Sequence, residues 1–188
     1  ALIVGLSDVG GTIHSAAGLD LAAIDKAFRE GARSVCDTGI GEVVARGVAG
    51  STAVFELDCD IVMPCALGDA VGEEEANNMK ATLVVEGANG PLTPTADLIL
   101  ADKGVIIIPD VYANAGGVTC SYLEQCQNFA HLTWDEDEVN ARVIDLMRAA
   151  FERFYAFSQE SKLPNRLAAS VLGVKTIADA HRMRGLHP

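Results

Sequence analysis

A chain of 188 residues, 49% of them hydrophobic, can bury a core, which excludes intrinsic disorder. The 26 acidic residues outnumber the 14 basic ones, for a formal net charge of -12, and this argues against a nucleic-acid surface, which needs clustered lysine and arginine. No apolar run reaches the ~18–20 residues that span a bilayer, and the opening Leu2-Ile3-Val4-Gly5-Leu6 lacks the basic flank of a secretory signal, so the chain reads as cytoplasmic, off the membrane, and concerned with small molecules.

In chain order, residues 2–7 read as a strand. Asp20 is a candidate N-cap for a helix through Phe28, with Leu21, Ile24 and Phe28 on one face. Residues 36–52 are glycine-rich and read as loop, with at most a short helix. Strands follow at 60–63, 82–86 and 105–109, with helical crossovers at 72–79 and 95–101. These runs are continuously apolar rather than alternating, which suits parallel strands covered on both faces. The pattern predicts an α/β fold, Rossmann-like and doubly wound with a mostly parallel sheet, over residues 1–130. Residues 131–188 predict C-terminal helices only. Thr133-Trp134-Asp135-Glu136 reads as a capping box, and Val139, Val143, Leu146, Met147, Ala150, Phe151 and Phe154 form an apolar stripe at helical spacing. A last helix is expected from near Pro164 through Leu167, Val171, Val174 and Ala178, stopping at Gly185.

Five cysteines (Cys36, Cys59, Cys65, Cys120, Cys126) are an odd number without a CxxC pair, so neither a disulfide framework nor a zinc site is expected. They read as small buried hydrophobes in a reducing compartment. His14, His131, His181 and His187 are scattered and show no ligand spacing, so no metal is expected.

Candidate site residues lie where chains leave strands. Asn89 and Asn114 each follow the carboxyl end of a strand, where open α/β sheets bind ligands. The bland alternatives are a turn residue beside Gly87 and Gly90, and a helix N-cap. Asp8 ends the first strand and can accept hydrogen bonds from a cofactor ribose, or serve as a turn acid before Gly10-Gly11. Cys65 and Ala66 follow the strand that ends at Met63-Pro64; a nucleophilic role for Cys65 lacks a histidine partner.

Three segments carry a resemblance. They are Val84-Val85-Glu86-Gly87-Ala88-Asn89-Gly90-Pro91 with Thr93-Pro94, the run Pro109-Asp110-Val111-Tyr112-Ala113-Asn114-Ala115-Gly116-Gly117-Val118, and Ser121-Tyr122-Leu123-Glu124 with Gln127-Asn128. In this order they resemble the signature segments of the glutamate, leucine, phenylalanine and valine dehydrogenase superfamily, from Ser7-Asp8 to Arg184-Gly185-Leu186. The third segment is similar to the glutamate branch. The resemblance implies that Ser121 binds the substrate side-chain carboxylate and that Val118 shapes the same pocket. A hydroxyl at a helix start suits an anion. It also implies that Asn89 and Asn114 lie near the nicotinamide and its ribose. Cys65 and Ala66 would pass backbone groups along the cofactor. Relatives often read Ala-Leu-Glu-Asn there, whereas this chain has Ala66-Leu67-Gly68-Asp69, which removes two side chains from that loop's usual contacts. Asp8 tilts the cofactor towards NAD, with NADP as the other candidate, because a carboxylate repels a 2′-phosphate.

The implied reaction is NAD(P)-dependent oxidative deamination of L-glutamate to 2-oxoglutarate and ammonium, with this chain as the cofactor domain. The family's acid–base lysine and aspartate lie in a substrate domain, and no residue here is assigned those roles. The fingerprint GxGxxG does not occur in the chain. The first βα unit is therefore missing from the expected order 3-2-1-4-5-6, which leaves the second and fourth strands of that order without a shared neighbour. The resemblance implies a homo-oligomer, hexameric in relatives. Two other readings remain: a truncated, non-catalytic regulatory or assembly subunit, and a leucine, valine or phenylalanine dehydrogenase, against which Ser121 argues.

Overall fold

The computed structural model describes residues 1–185, so the readings at Leu186 and His187 lie outside the described residues. The chain is mixed α/β, in two compact units. The first comprises Ala1–Val84 and Gly90–Ile106; the second comprises Val85–Asn89 and the residues from Ile107 on.

The first strand does not join a parallel sheet as expected. β1 (Gly5–Asp8), β2 (Gly11–His14) and β3 (Glu42–Arg46) form an antiparallel sheet in the order β1-β2-β3. The turn Val9-Gly10 sends the chain straight back, so Asp8 pairs with Gly11 and Gly5 with His14. Gly11 has φ 130°, and a Cβ there would stand 2.1 Å from the Ala45 carbonyl oxygen. Only glycine lets β3 approach so closely. β2 and β3 carry no strand signal in the sequence. β2 is four residues long, and β3 is exposed along most of its length, so neither shows a clear apolar period. Their pairing, rather than local propensity, makes them strands. The segment read as loop therefore holds β3, flanked by single 3-10 turns at Val35–Asp37, Val48–Gly50 and Thr52–Glu56.

Behind this sheet lies a cluster of Ile13, Leu19, Ile24, Val35 and Cys36, with Leu6 and Ile40 packed against it. The buried Thr12 hydroxyl donates to Gly50 O at 2.7 Å. Helix α1 (Leu21–Arg29) begins as expected, with Asp20 Oδ1 accepting from Ala23 N at 3.0 Å. Of its expected apolar face only Ile24 is buried; Leu21 and Phe28 are exposed.

β4 (Ile61–Val62), β5 (Leu83–Val85) and β6 (Ile106–Ile108) form the second sheet, in the order β4-β5-β6. β4 and β5 are parallel, with Ile61 opposite Leu83. Ile106 N donates to Thr82 O at 2.9 Å, and Glu86 N to Ile108 O at 3.1 Å. Val84 is fully buried, as continuous apolarity implies for a covered strand. The crossovers are α2 (Glu73–Asn78) and α3 (Pro94–Asp102). Thr93 caps α3, its hydroxyl accepting from Ala96 N, with Pro94 in the first turn where its missing N–H costs nothing. The Lys103 ammonium donates to Ala76, Asn77 and Met79 carbonyls at 2.9, 2.9 and 2.7 Å, which neutralises the negative end of α2.

The second unit holds α4 (Asp110–Ala113), α5 (Gly116–Ala130), α6 (Glu136–Ser161) and α7 (Asn165–Arg184). The N-cap of α6 is Asp135, not Thr133: its Oδ1 accepts from Glu138 N at 2.8 Å. Trp134, in the loop before the helix, donates its N–H to Gln127 Oε1 on α5 at 2.6 Å. The α6 stripe points inward as expected, apart from the exposed Leu146. Phe151 and Phe154 close a ring cluster on Tyr112 of α4, with centroids 5.4 and 5.8 Å away. α7 runs through Leu167, Val171, Val174 and Ala178 as expected; the first three are exposed, Ala178 is half-buried, and the small Ala168 is the buried contact. Gly185, φ 76°, ends α7 as expected.

All five cysteines are free, but only Cys36 is buried; Cys65 and Cys120 are exposed. Burial, then Asp60 and Asp58, push the Cys59 thiol up. Among the described residues no helix is long and apolar enough to cross a membrane.

Two outcomes follow for unfolding in urea. Gly11→Ala is expected to lose about 2 kcal/mol or more, from left-handed strain plus the clash with Ala45 O. Asp135→Ala is expected to lose about 1 kcal/mol, whereas Thr133→Ala should stay within about 0.5 kcal/mol of the parent. Equal losses from the two would contradict the cap assignment.

Candidate functional site

β5 ends at Val85, and the next residue, Glu86, has no exposed surface. Three residues further on, Asn89 is exposed on the loop Gly87-Ala88-Asn89-Gly90. β6 delivers the chain through Pro109 into α4, and Asn114 closes that short helix. Asn114 Nδ2 donates to Asn89 Oδ1 at 2.7 Å and reaches Gly87 O at 3.4 Å. The two expected site asparagines are thus brought together. Asn114 is not a helix N-cap: the residue that caps α5 is Ala115, and the Asn114 side chain bridges to the neighbouring loop instead. Their mutual bond uses one amide group from each. It leaves the Nδ2 group of Asn89 with donors and the Oδ1 of Asn114 as an acceptor.

Val118 and Ser121 share a face of α5. With Tyr122, Glu124, Gln125 and Asn128 they line a shallow depression. Ser121 is the sixth residue of the 15-residue helix, not its start. The expectation of a hydroxyl at a helix start is therefore corrected: the free amides of the first turn lie before Ser121, and its hydroxyl stands without them. The Ser121 hydroxyl is a single exposed donor, and Val118, 69% exposed, offers apolar surface one turn before it. Leu123, on the opposite face, is buried and fixes which side of α5 looks outward. A hydrogen bond to Cys126 pushes the Tyr122 phenol up, so it is a neutral group at ordinary pH.

In the first unit, Asp8 is heavily engaged. Its Oδ1 accepts from Gly10 N and from the Ser34 hydroxyl, each at 2.8 Å, and its Oδ2 accepts from Val35 N at 2.8 Å. The carboxylate locks the β1–β2 turn to the Val35–Asp37 turn, which is the turn-acid alternative in structural form. A carboxylate accepts about four hydrogen bonds, so one site on Oδ2 is left for a ligand. Cys65 and Ala66 are exposed on the loop after β4. Asp69 on that loop takes a left-handed conformation, φ 54°, and its N–H donates to Gly90 O at 2.9 Å. Among the described residues no group of three histidine, cysteine, aspartate or glutamate side chains could hold a metal.

Sequence reasoning misses Glu86, Arg166 and Asn165. The buried Glu86 carboxylate receives both Arg166 Nη groups, at 3.0 and 2.5 Å, and the Asp110 N–H at 2.8 Å. Asn165 Nδ2 donates to Ile107 O at 2.9 Å. The one available signal is a glutamate directly following Leu83-Val84-Val85, where a charge requires a partner.

The sequence profile of the family described as Glutamate/Leucine/Phenylalanine/Valine dehydrogenase matches residues 1–185. The chain is 42% identical over 186 residues to an NAD-specific glutamate dehydrogenase of Staphylococcus aureus (strain COL), a match over 98% of this chain and 43% of that protein. It is 39% identical over 187 residues to the NADP-specific glutamate dehydrogenase A1 of Halobacterium salinarum, covering 99% and 44%. In structure it is similar to the hetero-hexameric glutamate dehydrogenase of Thermus thermophilus (Leu-bound form), with a TM-score of 0.84 and 26% identity, over 100% of this chain and 42% of that one. The chain spans less than half the length of the curated relatives it matches. With the signature segments, the profile and the fold in agreement, the chain belongs to the glutamate/leucine/phenylalanine/valine dehydrogenase family.

Proposed function

We propose that this chain supplies the nicotinamide-binding part of an enzyme that oxidatively deaminates L-glutamate to 2-oxoglutarate and ammonium. The observation that carries the reading is the Asn89–Asn114 pair. Its remaining donor and acceptor match the carbonyl and amino group of a primary carboxamide, the polar handle of nicotinamide. When bound, the dinucleotide supplies the hydride acceptor. The two asparagines hold the carboxamide and so fix which ring face the substrate meets. On the exposed face of α5, Ser121 donates to the substrate's distal carboxylate and Val118 contacts its methylenes. Oδ2 of Asp8 accepts one ribose hydroxyl, which favours NAD over NADP, and the backbone at Cys65 and Ala66 follows the cofactor. The names of the relatives support both a nicotinamide cofactor and glutamate as substrate. We extend the reading to a cytoplasmic oligomer, because the similar glutamate dehydrogenase of Thermus thermophilus is a hetero-hexamer.

The test uses the full-length protein that carries this chain, assayed for NAD-linked glutamate oxidation. A hydrogen bond to a charged group contributes about 1.5–3 kcal/mol. Ser121→Ala is therefore expected to raise the KM for glutamate about tenfold or more, with the KM for NAD nearly unchanged. Asn114→Asp puts an acceptor where a donor is needed and is expected to raise the KM for NAD about tenfold. Turnover of leucine but not glutamate would overturn the substrate assignment, and absence of nicotinamide-nucleotide binding would overturn the cofactor assignment.

A further inference from the structure

We propose that Arg166 is a positioning residue for the cofactor: through the buried Glu86 carboxylate it fixes α4, and thereby sets Asn114 against Asn89. The inference rests on the cofactor reading above and adds a distant residue that controls it. Helix α4 is too short to place itself. Four residues, Asp110–Ala113, make barely one turn, and an isolated turn has no stability of its own. Its placement comes from tertiary contacts: Tyr112 in its middle packs on Phe151 and Phe154 and donates to Met147 O at 3.1 Å, and its two ends are held as well.

Both ends are held by the same short segment. At the amino end, Asp110 N donates to Glu86 Oε2 at 2.8 Å. At the carboxyl end, Asn114 Nδ2 binds Asn89 Oδ1 and Gly87 O. Residues 86–89 thus form a jig on which α4 lies, and the geometry of the asparagine pair depends on where Glu86 sits. Glu86 in turn is gripped by Arg166 in bidentate fashion, Nη1 to Oε2 at 3.0 Å and Nη2 to Oε1 at 2.5 Å. Arg166 Nη1 also stands 3.5 Å from Asp110 Oδ1, so the guanidinium touches both halves of the clamp. The arginine's own position is fixed at the start of α7. Its neighbour Asn165 donates to Ile107 O and accepts from the Ser158 hydroxyl at 2.7 Å.

Two planar forks meeting face to face define orientation as well as distance. A lysine can make only a point contact. The rival account is that the pair is scaffolding, whose removal harms stability alone. The two accounts part at a double variant. Replacing a buried ion pair by apolar side chains of similar volume is often neutral for stability, yet it removes the acceptor for Asp110 N and frees the amino end of α4.

The experiment uses the full-length protein, with Arg166→Lys and the double variant Glu86→Met/Arg166→Met beside the parent. NAD affinity, the KM values for NAD and glutamate, and the thermal midpoint are measured together. Arg166→Lys is expected to weaken NAD about tenfold, the loss of one charge-assisted hydrogen bond, with the KM for glutamate within about twofold of the parent. The double variant is expected to recover most of the thermal midpoint while NAD binding stays weak. Recovery of NAD affinity together with stability, or an Arg166→Lys variant that melts lower but binds NAD normally, would reduce the pair to scaffolding and overturn the proposal. If the double variant does not fold, the ratio of the two KM values in Arg166→Lys decides alone. A parent protein that binds no nicotinamide nucleotide would sink the cofactor reading itself, an outcome distinct from failure of the variants.

Discussion

A carboxylate with no exposed surface has to be compensated where it sits, and Glu86 is that constraint in the second unit. Taking an ion out of water costs several kcal/mol, and attraction to a partner offsets this only when the remaining lone pairs are also filled. Here two guanidinium contacts and one backbone amide fill three of its about four acceptor sites, with both oxygens engaged. Removing one partner of such a pair typically costs about 3–5 kcal/mol, because an uncompensated charge stays behind. The strand end, the start of α4 and the start of α7 therefore have to arrive together. The Asn89–Asn114 hydrogen bond is linked to that junction through α4 and residues 86–89.

The sequence exposes the strands of the second sheet through their unbroken apolar runs, although Ile61 of β4 and Ile106 of β6 are exposed rather than covered on both faces. Val84 and its neighbours are legible for that reason. The antiparallel sheet is illegible because β3 is exposed along most of its length and β2 is four residues long. What signals it is the glycine at 11, whose close approach to Ala45 becomes meaningful only once the partner strand is known. The starts of α1, α2, α3, α6 and α7 are legible to within a turn, whereas α5 begins five residues before Ser121. The cap of α6 lies two residues beyond the expected Thr133, at Asp135, and the neighbouring Trp134 N–H bonds Gln127 of α5, a loop-to-helix contact that no local pattern encodes.

The candidate site is legible as residues but not as geometry. Asn89 and Asn114 can be chosen from their places after strands, yet their mutual hydrogen bond, which dictates the donor and acceptor left over, needs coordinates. Ser121 reads as a helix-start residue because the helix is expected to open at Ser121-Tyr122-Leu123-Glu124. The helix begins five residues earlier, at Gly116, which leaves the Ser121 hydroxyl on an exposed mid-helix face. Asp8 shows the opposite case. The turn role and the ligand role look like alternatives in the sequence, but three protein donors still leave one acceptor site, so a single carboxylate can serve both.

The bond between Arg166 and Glu86 joins positions 80 residues apart in sequence. A ribosome adds about 5–20 residues per second. The glutamate is thus made roughly 4–16 s before the arginine that neutralises it. Through that interval the nascent strand end carries a charge it cannot bury, so the segment at 86–89 has to stay hydrated while the preceding strands are already complete. Bidentate neutralisation of Glu86 therefore cannot occur before the first turn of α7 has been synthesised.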